Sequence, residues 1–269
     1  MKLTVLVDNN TYIDRYFLGE PALSFYIQEV DTTILFDTGY SNVFIQNAKS
    51  MGLDLSSVNT VVISHGHVDH TGGLPRLNSE FNTSGMTIYA HPLAFANKQL
   101  DGINIGSTLS EEEIRKIYKV LYIKKPTHIS ENLIMLGEIP SYYEFEKRQY
   151  NGMAMINGQS FPDYNIDDTA LVYKTCKGIY IVTGCSHSGI CGILEYAQEV
   201  CSDNRVLGVI GGFHLLEKGA QLEGTLKYLK KKNIPGLYPC HCVSMMAKVM
   251  LANHMNIAEV GVGMTLDWS

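Results

Sequence analysis

The chain has 269 residues, and 45% of them are hydrophobic, which is enough to bury the core of one large α/β domain. Its formal net charge of −6 disfavours nucleic acid as a partner, because such proteins usually carry a basic face that displaces phosphate counterions. No apolar run approaches the length that crosses a bilayer, so we expect no membrane association.

The cysteines and the first residues predict where the protein works. The opening MKLTVLVDNN lacks the long apolar stretch and cleavage site of a secretory signal. In a chain without an export signal, cysteines are expected to be reduced thiols rather than a disulfide framework. We therefore expect a cytoplasmic protein whose partner is a small-molecule substrate, with monomer and homodimer both left open. The six cysteines are Cys176, Cys185, Cys191, Cys201, Cys240 and Cys242.

Short runs rich in Val, Ile and Tyr alternate with helical patterns along the chain. Ser110, with Glu113 three residues later, has the pattern of a capping box at a helix start. Strands are predicted at Leu3–Val7, Ser24–Gln28, Thr33–Phe36, Thr60–Ser64, Thr87–Ala90, Ala170–Thr175, Gly178–Thr183, Val206–Gly211, Gly236–Pro239 and Val260–Leu266. Helices are predicted at Asn42–Met51, Glu111–Tyr122, Gly189–Cys201, Glu223–Lys232 and Ser244–His254.

The first ninety and the last hundred residues, roughly, share one plan of strands, helix and strands. Between them, the segment from Pro92 to Asp168 is more polar and aromatic, and it contains SYYEFEKRQYNG. We interpret the chain as a single domain over 1–269 in which 92–168 is an insertion that covers one end and shapes the substrate pocket. Tyr142, Tyr143 and Phe145 are its candidates for stacking on a substrate ring.

The motif HGHVDH follows directly after the predicted strand that ends at Ser64. Residues two apart in extended backbone point the same way, so His65 and His67 face one target, and Gly66 lets the chain turn between them. Asp69 and His70 follow around the bend. Neutral imidazole and carboxylate are good ligands for Zn²⁺, Mn²⁺ or Fe²⁺, so this loop predicts a metal site.

H-x-H-x-D-H followed by Thr-Gly-Gly resembles the signature of the metallo-β-lactamase fold superfamily, and LFDTG at residues 35–39 resembles its first motif. The resemblance covers most of the chain. It implies an α/β protein with a four-layer αββα sandwich and a metal centre at the sheet edges that usually holds two ions. Asp37 would then hydrogen-bond the ligand loop and fix the orientation of its imidazoles.

Further ligands must come from the second half, because one loop cannot complete two coordination spheres. His241 resembles the last histidine of the superfamily, which closes the second metal site. Many members carry a histidine in a G-H turn before the strand pair that here begins in NIDDTALVY, where this chain has no histidine. Many members also end the next strand with an aspartate in T-G-D, whereas this chain has Cys185 in that position and His187 two residues beyond it. We infer that His187 supplies the missing imidazole. Cys185 is either a ligand or a small buried residue, and both readings stay open.

TGCSHSG, GGFHL, PCHC and GEIP resemble one subgroup of the superfamily, the metal-dependent hydrolases related to the archaeal 7,8-dihydropterin-6-methyl-4-(β-D-ribofuranosyl)aminobenzene-5′-phosphate synthase, which is dihydropteroate-synthase-like. The chain departs from the subgroup in three places. It has Glu20-Pro-Ala-Leu-Ser24 for E-H-G-L-S, His241-Cys-Val-Ser244 for H-C-T-G, and Ser141 where an arginine often follows GEIP. These departures leave the metal residues unchanged and weigh against the synthase reaction.

These features predict a metal-dependent hydrolase with two divalent transition-metal ions, Zn²⁺ first and Mn²⁺ or Fe²⁺ as alternatives. It would use a metal-bound water on a small cytosolic metabolite that is phosphorylated or heterocyclic. Asp69 would orient the water, His214 would face the substrate or transfer a proton, and His91 is a candidate for the pocket. One alternative is metal-assisted transfer on a pterin diphosphate, and another is a non-catalytic metal-binding module.

Overall fold

The computed structural model describes residues 1–268 and divides them into two compact units, each assembled from separate stretches of the chain. The first unit comprises residues 1–123, 150–167 and the C-terminal stretch from Gly261. The second comprises residues 124–149 and 168–260. Within residues 1–268, no helix combines the length and the apolar composition of a membrane span.

The strands of residues 1–268 are mostly short, and they are numbered here in chain order. They are β1 (Lys2–Val7), β2 (Ser24–Glu29), β3 (Thr32–Phe36), β4 (Thr60–Val62), β5 (Thr87–Ala90), β6 (Asn97–Leu100), β7 (Ile103–Asn104), β8 (Lys119–Tyr122), β9 (Thr127–His128), β10 (Leu133–Met135), β11 (Met153–Ile156), β12 (Gln159–Pro162), β13 (Ala170–Lys174), β14 (Ile179–Thr183), β15 (Val206–Gly211), β16 (Gly236–Pro239) and β17 (Thr265–Asp267).

The α-helices of the same residues are α1 (Val43–Ser50), α2 (Val68–Thr71), α3 (Leu74–Glu80), α4 (Glu111–Ile117), α5 (Ile190–Cys201), α6 (Ala220–Lys232) and α7 (Met245–Ala252). The predicted capping box is present at α4, where Ser110 accepts from the Glu113 backbone and the Glu113 side chain accepts in return.

The first unit contains a seven-stranded sheet in the order β17-β1-β2-β3-β4-β5-β8. Strands β1, β2 and β3 pair antiparallel, whereas β3, β4, β5 and β8 are parallel neighbours. Helices α1, α3 and α4 bury Phe44, Leu74 and Ile114 in one cluster with Leu35 and Val61 of the sheet. Because β3, β4 and β5 are parallel, the loops that follow them leave from the same edge.

A second, four-stranded sheet in the first unit has the order β12-β11-β6-β7. All its pairs are antiparallel. Its strands lie within the segment predicted as an insertion.

The second unit contains a six-stranded sheet in the order β16-β15-β14-β13-β10-β9. Strands β14, β15 and β16 are parallel, so the loops after them also leave from one edge. Helices α5, α6 and α7 bury Ile193, Leu229 and Leu251 in a cluster with Ile181 and Val209 of the sheet.

The structure differs from the predicted elements at several points, and helices α2 and α3 and strands β6, β7 and β9 to β12 were not predicted. The predicted helix Glu111–Tyr122 ends at Ile117, and Lys119–Tyr122 is strand β8, since β-branched and aromatic side chains there alternate in burial. Of the predicted strand Val260–Leu266, only Thr265–Asp267 is a strand. Segment 92–168 is also not one insertion, because β8 belongs to the seven-stranded sheet and β10 to the six-stranded sheet. That it covers a metal cleft stays a prediction.

Candidate metal centre

The HGHVDH motif joins strand β4 to helix α2. His67 has extended backbone at the position before α2, so Asp69 and His70 lie in the first turn of a short helix rather than in an irregular loop. The backbone N–H of Thr38 donates to the His70 carbonyl at 2.8 Å, which attaches this turn to the loop after β3. The sequence therefore places the histidines on backbone fixed at both ends.

The imidazoles of this motif converge. His65 Nε2 lies 3.0 Å from His67 Nδ1. The ring centroids of His65 and His70 are 4.2 Å apart, and those of His65 and His67 are 4.6 Å apart. His65 and His70 are fully buried, and His67 is 9% exposed. The three rings are thus packed against one another, His65 and His67 in a T-shaped arrangement and His65 and His70 at a tilt.

This donor set fits a transition metal. Two nitrogens bound to one tetrahedral Zn²⁺ would be roughly 3.3 Å apart, close to the observed separation of His65 and His67. Burial, with the Lys98 charge added, lowers the pKa of His67 to about 4, so its ring is neutral near pH 7 and has no proton to lose before it binds a metal. The side chain of Asp69 is 28% exposed, and its Oδ2 lies 3.5 Å from His70 Nε2.

The Asp37 carboxylate fixes the HGHVDH motif through contacts with Ser64 and His70. Its carboxylate accepts hydrogen bonds from the Ser64 backbone N–H and the Ser64 hydroxyl, both at 2.7 Å. His70 Nδ1 lies 2.6 Å from the same carboxylate, which leaves Nε2 on the side of Asp69. Burial opposes protonation of His70, but Asp69 and Asp37 raise its pKa well above the usual value. These are the bonds that the predicted role of Asp37 requires.

Glycine is needed at Gly66 because of packing rather than backbone conformation. A Cβ there would overlap the backbone carbonyl of Ala94. A Cβ at Gly73 would likewise overlap the Thr38 carbonyl oxygen in the loop after β3. The two glycines let the motif press against neighbouring backbone, a reason that the turn-based argument from sequence did not contain.

The four-stranded sheet supplies residues that the sequence did not indicate. The side-chain amides of Asn151 and Asn165 lie 3.2 and 3.0 Å from His67 Nε2. Asp167 accepts the Gly66 backbone N–H at 2.8 Å and pairs with Lys98 Nζ at 2.8 Å. Lys98 is only 1% exposed. Lysine and asparagine usually face solvent, so no sequence signal marked them as support for a metal loop.

In the second unit, the two histidines predicted as ligands, and His214, which was predicted to face the substrate, follow the parallel strands β14, β15 and β16. His187 lies four residues after β14, His214 three after β15 and His241 two after β16. His214 and His241 have left-handed backbone, with φ of 48° and 51°. Such a conformation is uncommon outside glycine, although histidine tolerates it better than most residues, and it tends to persist at functional sites.

Two of these histidines, His187 and His214, come together with two cysteines. Ligand atoms of Cys185, His214 and Cys242 all lie within 4.8 Å of one another. The rings of His187 and His214 are 4.3 Å apart. Burial alone would raise the pKa of the Cys242 thiol, but hydrogen bonds with Cys185 and His214 and the charge of His241 lower it well below its usual value.

Comparison with known proteins agrees with this geometry. The metallo-beta-lactamase superfamily model matches residues 18–200. The chain belongs to the metallo-beta-lactamase superfamily. It is similar to the 7,8-dihydropterin-6-methyl-4-(beta-D-ribofuranosyl)-aminobenzene-5′-phosphate synthase of Methanocaldococcus jannaschii, with 30% identity over 266 residues, 93% of this chain and 90% of that protein. An uncharacterized protein of the same archaeon is also 30% identical, over 97% of this chain and 98% of its own length.

A solved structure extends the agreement to the fold. Tm1679, a metal-dependent hydrolase of the beta-lactamase superfamily, superposes with a TM-score of 0.85 at 30% identity, over 100% of this chain and 99% of that one. The chain therefore has the metallo-β-lactamase fold. The predicted family, and the predicted resemblance to the archaeal synthase, are confirmed.

Two buried carboxylates hold the loop that runs from Cys185 to His187. Asp168 accepts from both the backbone N–H and the hydroxyl of Ser188. Glu146 accepts the first free N–H groups of α5, from Cys191 at 2.9 Å and Gly192 at 3.0 Å. Burial raises the pKa of Glu146. A carboxylate at a helix N-terminus complements the helix dipole, so the loop that precedes α5 is anchored from both sides.

The residues that were predicted to lie in the substrate pocket have packing partners within the protein. His91 is 2% exposed, and its Nδ1 accepts the Leu93 backbone N–H at 3.2 Å. The hydroxyls of Tyr142 and Tyr143 donate to glutamates of α5, at 2.7 and 3.1 Å. Phe145 stacks on Tyr143 with centroids 5.1 Å apart. These contacts suffice to explain the three aromatic residues by packing on α5 and α6, so their substrate role stays a prediction only.

Proposed function

We propose that this protein is a metal-dependent hydrolase acting on a small metabolite that carries a phosphate or a heterocycle. The observation that carries the proposal is the buried convergence of His65 Nε2 and His67 Nδ1, 3.0 Å apart, beside the partly exposed carboxylate of Asp69. Membership of the metallo-beta-lactamase superfamily and the similarity to a metal-dependent hydrolase support it.

The donor residues support two divalent ions, with Zn²⁺ first and Mn²⁺ or Fe²⁺ as alternatives. In the proposal, His65, His67 and His187 hold one ion. Asp69, His70 and His241 hold the other. Six donors are too many for one tetrahedral site, which is why two ions are proposed. Cys185 occupies the position of the bridging aspartate of many members and is not needed to complete this set of six.

When bound, such a pair of ions supplies Lewis acidity and lowers the pKa of water toward neutrality. Asp69 is the residue that orients this water, because its carboxylate is partly exposed while the surrounding rings are buried. Asp37 keeps His70 in one orientation through its 2.6 Å contact with Nδ1. His214 faces the substrate, where its ring donates a hydrogen bond or a proton to the leaving group.

The similarity to the archaeal synthase supports a second candidate. In that reading the protein catalyses metal-assisted transfer on a pterin diphosphate, and pyrophosphate leaves. The two candidates differ in their products. A hydrolase adds water across the scissile bond, whereas a transferase releases pyrophosphate only when an acceptor is present.

The proposal is tested on the full chain reconstituted with Zn²⁺, Mn²⁺ or Fe²⁺ under anaerobic conditions. Elemental analysis gives the metal content, and a phosphoester panel and a pterin diphosphate with an acceptor are assayed for phosphate and pyrophosphate. Asp69→Ala should abolish turnover while the fold survives, whereas Asp31→Ala, at an exposed turn, should leave turnover unchanged. Metal-loaded protein that turns over no substrate supports a non-catalytic module and overturns the proposal, as does full activity of Asp69→Ala.

A further inference from the structure

Two asparagine amides of the first unit converge on one nitrogen of His67. Asn165 Nδ2 lies 3.0 Å and Asn151 Nδ2 lies 3.2 Å from His67 Nε2. Asn151 also donates to Asn165 Oδ1 at 3.0 Å, so the two amides are bonded to each other. Asn165 is 1% exposed. A buried pair of amides thus lies against the ring nitrogen that does not face His65.

The base of the hairpin formed by β11 and β12 fixes both asparagines. The Asn151 N–H donates to the Asp163 carbonyl at 2.9 Å, and the Asp163 N–H donates to the Gly152 carbonyl at 2.8 Å. The Asn165 N–H donates to the Asp163 carboxylate at 2.9 Å. Asn165 has left-handed backbone with φ of 50°, which asparagine tolerates better than most residues. The backbone of the hairpin base therefore sets where the two amides lie.

A buried cation closes the turn that carries Asn165. Lys98 Nζ lies 2.8 Å from Asp167 and 3.1 Å from Asp163, which flank Asn165 in the sequence. Asp167 also accepts the Gly66 N–H at 2.8 Å. The turn is thus hydrogen-bonded to the backbone of the ligand loop, and this bond limits movement of the amide relative to the imidazole.

The direction of the His67 ring decides which kind of partner its Nε2 needs. Its Nδ1 lies 3.0 Å from His65 Nε2, so Nδ1 is the atom through which His67 can share a metal ion with His65. A metal-bound imidazole is neutral and carries its one proton on the other nitrogen, where it donates to an acceptor. A side-chain amide offers an acceptor oxygen or a donor N–H in the same place, depending on its rotation about χ2. Asparagine therefore suits Nε2 both without and with a bound metal.

We propose that Asn151 and Asn165 are positioning residues that set the tautomer of His67 and so direct its Nδ1 to the metal. The inference rests on the proposed role of His67 as a ligand, and it names the groups that select its binding atom. In the metal-free chain, Asn165 Nδ2 donates to His67 Nε2, and the ring proton is on Nδ1. When a metal binds, Nδ1 releases this proton to water and Nε2 takes one up, so the ring stays neutral. Both amides then turn, and their oxygens accept the new N–H.

Nitrogen-15 NMR of the full chain measures the tautomer directly. Long-range nitrogen–proton correlation spectra distinguish a protonated ring nitrogen from an unprotonated or metal-bound one, and His67→Gln identifies the His67 signals. At pH 7 the chelated wild type should show the proton on Nδ1. With Zn²⁺ it should show the proton on Nε2. This measurement requires no substrate and no turnover.

Substitutions at Asn165 separate tautomer selection from packing. Asn165→Asp offers only acceptor oxygens, so its metal-free His67 should already carry the proton on Nε2, and Zn²⁺ affinity should stay near that of the wild type. Asn165→Gly keeps the left-handed backbone but removes the amide, and Zn²⁺ affinity should fall about tenfold. Asn151→Ala should lower the affinity in the same direction.

Asn157→Gly is the matched control. Asn157 is exposed in the turn between β11 and β12, and it has the same φ of 50° as Asn165. Its replacement should leave the His67 tautomers and the Zn²⁺ affinity unchanged. Far-ultraviolet circular dichroism checks that each variant is folded.

The outcomes separate this inference from the proposed function. The same His67 tautomer with and without Zn²⁺ overturns the inference, and so does a wild-type tautomer in metal-free Asn165→Asp. An affinity loss as large in Asn165→Asp as in Asn165→Gly also overturns it, because the asparagine would then act through packing alone. Each of these results leaves the hydrolase proposal standing. Tautomers that follow Zn²⁺ and the variants as expected, in a chain that turns over no substrate, support the positioning role and contradict the hydrolase.

Discussion

His67 gives the metal-free protein a pH-dependent stability. Its pKa is about 4 in the folded chain and near 6.5 when unfolded, so folding favours the neutral ring. The contribution is fully present above pH 6.5 and is lost as the pH falls through about 4, a loss on the order of 3 kcal/mol in the free energy of unfolding.

Urea unfolding of chelated protein at pH 7 and pH 4 measures this loss. The wild type should lose roughly that much more stability between the two pH values than His67→Gln does. His128→Gln, at an exposed histidine, should behave as the wild type. Equal pH slopes for wild type and His67→Gln would contradict the prediction. His70 acts with the opposite sign, since its pKa is raised, but it is common to all three proteins.

Gly66 is a second residue whose replacement has a defined cost. In Gly66→Ala the new Cβ overlaps the Ala94 carbonyl, so the ligand loop must shift, at roughly 1–3 kcal/mol of stability. Because His65 and His67 flank the site of the shift, Zn²⁺ affinity should also fall at least tenfold. Gly85→Ala is the matched control, since its Cβ would meet no atom within 4 Å. Indistinguishable midpoints and Zn²⁺ affinities in the two variants would refute the packing argument.

At the scale of elements, the four-stranded sheet supports the ligand loop through a buried ion pair. Lys98 Nζ lies 2.8 Å from Asp167 and 3.1 Å from Asp163, and Asp167 in turn accepts the Gly66 N–H. Lys98→Met leaves two buried carboxylates without their cation. We expect this to lower the free energy of unfolding by about 3–5 kcal/mol, which is typical when one partner of a buried ion pair is removed. We expect a lower unfolding midpoint together with weaker Zn²⁺ binding.

The control is Lys116→Met, which breaks an exposed pair with Glu112 on α4. Exposed pairs contribute about 0.3–0.5 kcal/mol, so its effect should be small. Restoration of Zn²⁺ affinity by Asp167→Asn in the Lys98→Met background would show that the unpaired charge, and not the lost lysine stem, disturbs the loop. A Lys98→Met variant as stable as Lys116→Met would overturn the supporting role.

At the scale of the whole molecule, the sequence predicted the parts that depend on short spacing. HGHVDH and LFDTG each lie within a few residues, so periodicity and ligand chemistry were enough to place His65, His67 and Asp37 at strand ends. The family followed from the same residues. The strand order did not, because it depends on pairings between distant segments.

The residues that support the HGHVDH motif could not be predicted from the sequence, for a physical reason. Asn165 and Asp167 lie about a hundred residues from His67 and Gly66, and only the folded backbone brings them into hydrogen-bond range. The aromatic run at 142–145 poses a different problem for prediction from sequence. Tyrosine packs on a helix surface as readily as on a ligand ring, and only contacts distinguish the two.

The proposed metal centre makes a prediction for two residues that are distant in the sequence. If His67 and His241 serve one dinuclear centre, Zn²⁺ should stabilise the chain by about 2.7 kcal/mol for each bound ion at a free concentration one hundred times the Kd. His67→Ala and His241→Ala should each remove most of this Zn²⁺-dependent gain. The double variant should then lose little more than either single one, because a shared centre is destroyed only once.

Unfolding midpoints with Zn²⁺ and with a chelator, for the wild type, both single variants and the double variant, provide the test. Chelated proteins supply the baseline, so that packing losses cancel and only the Zn²⁺-dependent gain is compared. Losses that add fully would mean that the two histidines bind separate, independent ions. In that case the six-donor centre is wrong, and water activation must be sought in the HGHVDH loop alone.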